Sequence, residues 1–140
     1  MADSTDAQLA SFLLEGGFRC CRKCYEVEGT AADYVGSRFE TPLCFAQSGD
    51  AVYARCCELM YCYYRELHAA INSLTASYAD FCRKLPQHVC YAIQAGTVIH
   101  CAFLEENEIA YVCSTAAGDF MRFAEGLIDW LFSRYVSLTY

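Results

Sequence analysis

The sequence predicts an all-α domain, a bundle of helices packed around one buried helix. Apolar residues make up 56% of the chain and recur at helical spacing in runs at 9–14, 52–67, 89–104, 109–112 and 120–136. Only two prolines occur among 140 residues, and turn residues inside the runs are few. A β-sandwich would need more glycine and proline at its corners. The length fits one domain spanning 1–140, able to bury roughly 68% of its unfolded surface without staples.

The elements follow in order. Ser4-Thr5-Asp6 offers capping side chains for a helix at about 6–16, with Leu9, Phe12 and Leu13 on one face and Gly16-Gly17 as its stop. A loop at about 28–42 contains Gly29, Gly36, Ser37 and Pro42. The next helix, about 44–68, places Phe45, Val52, Cys56, Leu59, Met60, Tyr63 and Leu67 on an apolar side, with Asp50, Arg55, Glu58 and Arg65 mostly away from it. Within it Ser48-Gly49-Asp50 stands out, because a mid-helix glycine costs about 1 kcal/mol against alanine. Either a neighbouring helix passes too close for a Cβ, or an ordinary core helix tolerates the glycine. One or two short helices at 69–85 turn Leu74, Tyr78 and Phe81 inward and end at Pro86. The run at 89–104, interrupted by Gln94, Thr97 and His100, reads as the buried central helix. Glu105-Glu106-Asn107-Glu108 turns the chain into a helix at about 106–122, and 123–135 holds the last one or two.

Read for residue order, Phe45-Ala46-Gln47-Ser48-Gly49-Asp50-Ala51-Val52 resembles the BH3 motif of the Bcl-2 family, in which an apolar residue precedes Gly-Asp and a second apolar anchor. Glu66-Leu67-His68 resembles the Gln-Leu-His that closes this helix in pro-survival members, and Leu127-Ile128-Asp129-Trp130-Leu131 resembles the BH2 core. At the BH1-like region, about 80–92, Gln87, His88, Val89 and Cys90 stand where the family has Asn-Trp-Gly-Arg. The resemblance covers nearly the whole chain and implies a Bcl-2-like bundle of about seven to eight helices. Within it the BH4-like helix falls at 6–16, the BH3-like helix at 44–68 and the BH2-like region at 123–135. The short loop, the missing C-terminal anchor and the eroded BH1 region resemble virally encoded homologues of iridovirus and poxvirus type.

That resemblance implies an inhibitor of apoptosis that sequesters the BH3 helix of one or a few host pro-apoptotic proteins, Bim first, in an apolar groove. By position the groove comprises Val52, Arg55, Cys56, Leu59, Met60 and Tyr63, then Phe81, then Gln87, Cys90, Tyr91 and Ile93. Without the family arginine it depends on apolar contacts and a narrow set of partners. The alternative is a viral Bcl-2-fold protein that blocks innate-immune signalling through another face, since Val89 in place of glycine closes the groove. A homodimer that buries the groove is a third outcome. The implied location is the host cytoplasm, with mitochondria reached through partners.

Eleven cysteines follow a polar, acidic N-terminus with no signal-peptide pattern, which reads as reduced thiols packed as small hydrophobes. Cys21-Arg22-Lys23-Cys24 is a single C-x-x-C without a second pair, so neither metal nor cofactor is expected. Oxidation at Cys20, Cys21 or Cys24 would give a misleading dimer. With 17 acids against 10 bases the net charge is -7, which disfavours nucleic acid and anionic membrane. No apolar run is long enough to span a bilayer. No nucleophile-elbow, zinc-protease or phosphate-loop pattern occurs, and His88 and Cys90, two apart on a helix, diverge, so no enzyme activity is expected.

Overall fold

Residues Ala95 and Gly96 turn the chain back on itself. Their φ angles of +49° and +78° are those of a tight hairpin turn, and Gln94 faces Thr97 across it. The run at 89–104 is therefore not a central helix but the hairpin of strands β3 (His88–Gln94) and β4 (Thr97–Glu105). A second two-residue turn at Glu106-Asn107, with φ +52° at Glu106, leads into β5 (Glu108–Ser114), where a helix at 106–122 was expected.

The computed structural model describes residues 6–19, 27–36, 42–69 and 74–139. Beside the three-stranded meander lie β1 (Glu28–Thr30), β2 (Cys44–Gln47) and β6 (Ser137–Thr139), giving one six-stranded sheet in the order β1-β6-β5-β4-β3-β2. All neighbours are antiparallel except β5 and β6, which run parallel and are joined through α4 (Ala117–Phe132). Helix α2 (Ala51–His68) and the short α3 (Tyr78–Cys82) connect β2 to β3 and cover one face, and α4 covers the other. This α/β architecture overturns the all-α, Bcl-2-like helical bundle.

The alternation of the strands divides the core in two. Val89, Cys101, Phe103 and Cys113 point toward α2 and α3, where Tyr53 meets Phe103 edge-on at 5.6 Å and Met60, Cys56 and Phe81 fill the interface. Cys90, Ala102 and Leu104 point toward Phe123, Leu127 and Leu131 of α4. Because β4 is buried on both faces, its sequence lacks the polar alternation of a half-exposed strand, and the run reads as continuously apolar.

The Ser48-Gly49-Asp50 step is a turn rather than a helix interior. Gly49 has φ +103°, the Gln47 N–H donates to Asp50 Oδ2 at 2.9 Å, and Asp50 is the N-cap position of α2. The expected helix at 44–68 thus begins as strand β2, and its Gly-Asp pair is turn chemistry. The loop at 28–42 contributes edge strand β1, the BH1-like segment 80–92 spans the end of α3 and most of β3, and the BH2-like residues Leu127 to Leu131 lie on α4. Helix α1 (Ala7–Glu15) forms with Asp6 accepting from the Leu9 N–H at 2.9 Å. Ser4, Thr5, Cys20, Cys21, Cys24 and Ser37 lie outside the described residues.

Gly49→Ala separates the two architectures by sign. In a helix it would stabilise by about 1 kcal/mol. At φ +103° it is expected to destabilise by about 1 kcal/mol or more, measured by urea unfolding.

Candidate functional site

The eleven residues expected to form a groove do not share one surface. Cys56, Met60 and Phe81 are buried between α2, α3 and the sheet, with Val52, Leu59, Tyr63 and Tyr91 packed half-buried against them. Cys90 is fully buried on the opposite face, under α4. Arg55 donates to the Gly96 carbonyl, Gln87 accepts from the Ser48 N–H at 2.8 Å, and Ile93 is exposed near the β3–β4 turn. The sheet itself separates Cys90 from its supposed partners, because successive residues of a strand point to opposite faces.

A concave site lies instead between α4 and the β1–β6–β5 end of the sheet. Phe120, Phe123, Ala124, Leu127, Ile128 and Phe132 follow a three-and-four spacing along one helical face and form its roof. Ile109 and Val112 of β5, Leu138 of β6 and Gly29 of β1 form its floor. From Phe120 to Phe132 the roof runs about 18 Å at the rise of an α-helix. The cavity has a volume of about 390 Å³, within the range of about 300–1,000 Å³ usual for small-molecule sites.

Local packing explains why the cavity lies on this side. On the β2 flank of α4, Trp130 packs against Phe45 with ring centroids 4.5 Å apart and carries the Arg134 guanidinium over its ring at 4.0 Å. On the other flank β1 and β6 are three residues each, so the sheet gives the helix little to pack on. Gly29 has no side chain to fill the gap, and a Cβ there would meet Phe132 at 3.7 Å.

The mouth is polar. Thr30 Oγ1 donates to Asp33 Oδ2 at 2.6 Å, while the Asp33 N–H donates to the Thr30 carbonyl at 3.1 Å. Tyr34 lies along α4, its ring 5.0 Å from Phe132 and its hydroxyl donating toward the Glu125 carbonyl at 3.4 Å. Burial pushes the Tyr34 hydroxyl up to about 12, with hydrogen bonding to Asp129 and the charges of Asp129 and Glu125 adding to the shift. It stays a neutral phenol at physiological pH. Sequence reading passed over this site because it is assembled from a loop, two three-residue strands and a helix face, and only the helix face is periodic.

Behind the aromatic end of the roof sits His100, 1% exposed. Its Nδ1 is 2.8 Å from Ser114 Oγ, and its ring lies against Phe123 at 5.3 Å and Phe120 at 6.0 Å. Ser114 Oγ also accepts from the Ala116 N–H at 3.1 Å, which fixes the hydroxyl beside Nδ1. Nε2 has no hydrogen-bond partner among the described residues. A serine–histidine pair needs a third group to orient the imidazole and an opening to substrate. This one is covered by two phenylalanines.

The buried thiols, Cys90 under α4 and the others on the α2 face, also serve packing. Cys101 Sγ lies 3.4 Å from Cys113 Sγ, and all five of Cys56, Cys57, Cys90, Cys101 and Cys113 are buried. Burial is the first cause that raises Cys57 and Cys90, each up to about 12, so these two remain unreactive thiols. Among the described residues no group of three His, Cys, Asp or Glu side chains could hold a metal ion, and no helix is long and apolar enough to cross a membrane.

No family model matches the chain, and no curated protein or solved structure resembles it at a significant level.

Burial lowers the His100 pKa from its ordinary value, so the fold holds the neutral ring while the unfolded chain binds the proton more readily. That stability is present above the ordinary histidine range, about 6.5, and is lost as pH falls below it. Thermal unfolding followed from pH 7.5 to 5 should show Tm falling more steeply in the wild type than in His100→Gln. Equal slopes would mean that the ring is not held neutral.

Proposed function

We propose that this protein is a binding module for a small, elongated apolar molecule, held between α4 and the open end of the sheet. The observation that carries this reading is the 390 Å³ cavity, roofed by an unbroken apolar helix face and edged by Thr30, Asp33 and Tyr34 at its mouth. A pocket of this kind gains affinity by removing apolar ligand surface from water, at about 0.8 kcal/mol per methylene, while a few polar groups fix orientation. On this reading the protein is a ligand carrier or sensor.

Binding a BH3 helix rested on a groove between helices, and the residues that carried that resemblance are engaged otherwise. Gly49 and Asp50 form the turn into α2, and Trp130 is stacked between Phe45 and Arg134. The ligand-binding reading draws on a cavity that those residues do not line.

Titration with the neutral dye N-phenyl-1-naphthylamine, followed by displacement with dodecanol, tests the proposal. Saturable dye binding at about 10 μM or tighter, equivalent to about 7 kcal/mol, is expected. Ala124→Trp, which places an indole in the cavity, should weaken it at least tenfold while leaving the circular dichroism and cooperative melt of a folded protein. Unchanged binding by the folded variant would put the dye elsewhere and remove the proposal.

A further inference from the structure

Among the described residues that line the pocket, the one charged side chain is Asp33, which is exposed. Asp33 is held in place by two hydrogen bonds with Thr30. No lysine, arginine or histidine is among the described lining residues. Arg134, the base nearest the end of α4, is turned to the other flank, over Trp130 and hydrogen-bonded to Ser133. The same cavity therefore sorts its ligands at the head group. A carboxylate or phosphate at the mouth would meet like charge, on a chain whose net charge is already -7.

Resting on the ligand-binding reading, we propose that the pocket takes an amphiphilic cation, with its apolar tail under α4 and a protonated amine seated at the mouth against Asp33. The geometry suits an ammonium group, which donates up to three hydrogen bonds and accepts none. Asp33 supplies the charged acceptor, and Thr30 Oγ1, bonded to it at 2.6 Å, supplies a neutral oxygen beside it. The cation must lie at the mouth because the interior offers it no counter-charge, and an unpaired ammonium under α4 would lose its hydration without replacement. The tail enters along the helix because the roof from Phe120 to Phe132 is apolar throughout its lining positions. Asp33 is exposed, so water and salt screen part of the attraction, and discrimination is expected to be tenfold rather than absolute.

Calorimetric titration with dodecylamine, dodecanol and dodecanoate, each below its micelle concentration, tests this. The expected order is amine, alcohol, carboxylate, with the amine about tenfold tighter than the alcohol in 50 mM salt and the gap narrowing in 500 mM salt. Asp33→Asn should cut the amine-to-alcohol ratio several-fold. Equal affinity for amine and alcohol, or a ratio unmoved by Asp33→Asn, would overturn the cation assignment while leaving the apolar pocket in place. Failure of dodecanol as well as dodecylamine would remove the ligand-binding reading itself. An amine preference of the same size in folded Ala124→Trp would mean attraction to the acidic surface, and it too would overturn the assignment.

Discussion

Strand β4 is covered on both faces, and the remaining elements are arranged around that burial. Val98, Cys101, Ala102, Phe103 and Leu104 are all at most 5% exposed, with Cys101 and Phe103 facing α2 and Ala102 and Leu104 facing α4. A strand with apolar residues on both sides has no solvent face and must sit inside a sheet between two layers. β3 and β5 satisfy its backbone through two tight turns, and α2 and α4 remove its side chains from water. The parallel return of β6 then follows, since a chain leaving β5 must cross a face as α4 before it can rejoin the sheet beside β5.

This central burial also explains what could and could not be read from the sequence. Helix α1, its Asp6 cap and its glycine stop were legible, because caps are local chemistry. The apolar runs of α2 and α4 were legible as helical but their faces and bounds were not: Leu67 is exposed, Tyr53 and Cys57 are buried instead, and α4 runs unbroken through the expected boundary at 122–123. β3 and β4 were not, because doubly buried strands lose the alternation that distinguishes a strand from a buried helix. The discriminating signs were present: Ala95-Gly96 between β-branched and aromatic residues is hairpin chemistry, and Val89, Tyr91, Ile93, Val98 and Ile99 favour strands. Ser48-Gly49-Asp50 misled for a related reason. Turn residues at the head of an amphipathic helix give the same order as a Gly-Asp pair within one, and only the φ of Gly49 separates the two.

The candidate site was less legible than the fold. Its roof follows from helical period in α4, but its walls come from segments around residues 27–34 and 138, far apart in sequence and too short to carry a pattern. The misplaced groove shows the converse: eleven residues chosen on the supposition of one helical surface fall on both sides of a sheet and at its turns. A three-layer fold divides any such set, since neighbouring strand residues serve different cores. His100 illustrates how polar chemistry can be absorbed by such a core, its ring packed between Phe120, Phe123 and a serine rather than opened to solvent.

Among the described residues a space stays open beneath α4, and this is what supports the proposal that the region does more than hold the fold together. Apolar side chains that face an open space forgo burial that would otherwise stabilise the domain, at about 25 cal/mol per Å². On the opposite flank of the same helix, two large aromatic side chains, Phe45 and Trp130, meet across the helix–sheet interface, with the Arg134 guanidinium over the Trp130 ring. Gly29 and Ala124 line the open flank instead, where larger apolar residues would have filled the space. Trp130 packs toward β2 on one flank of α4, while the described residues leave a space on the other, and this asymmetry is what the ligand-binding proposal is argued from.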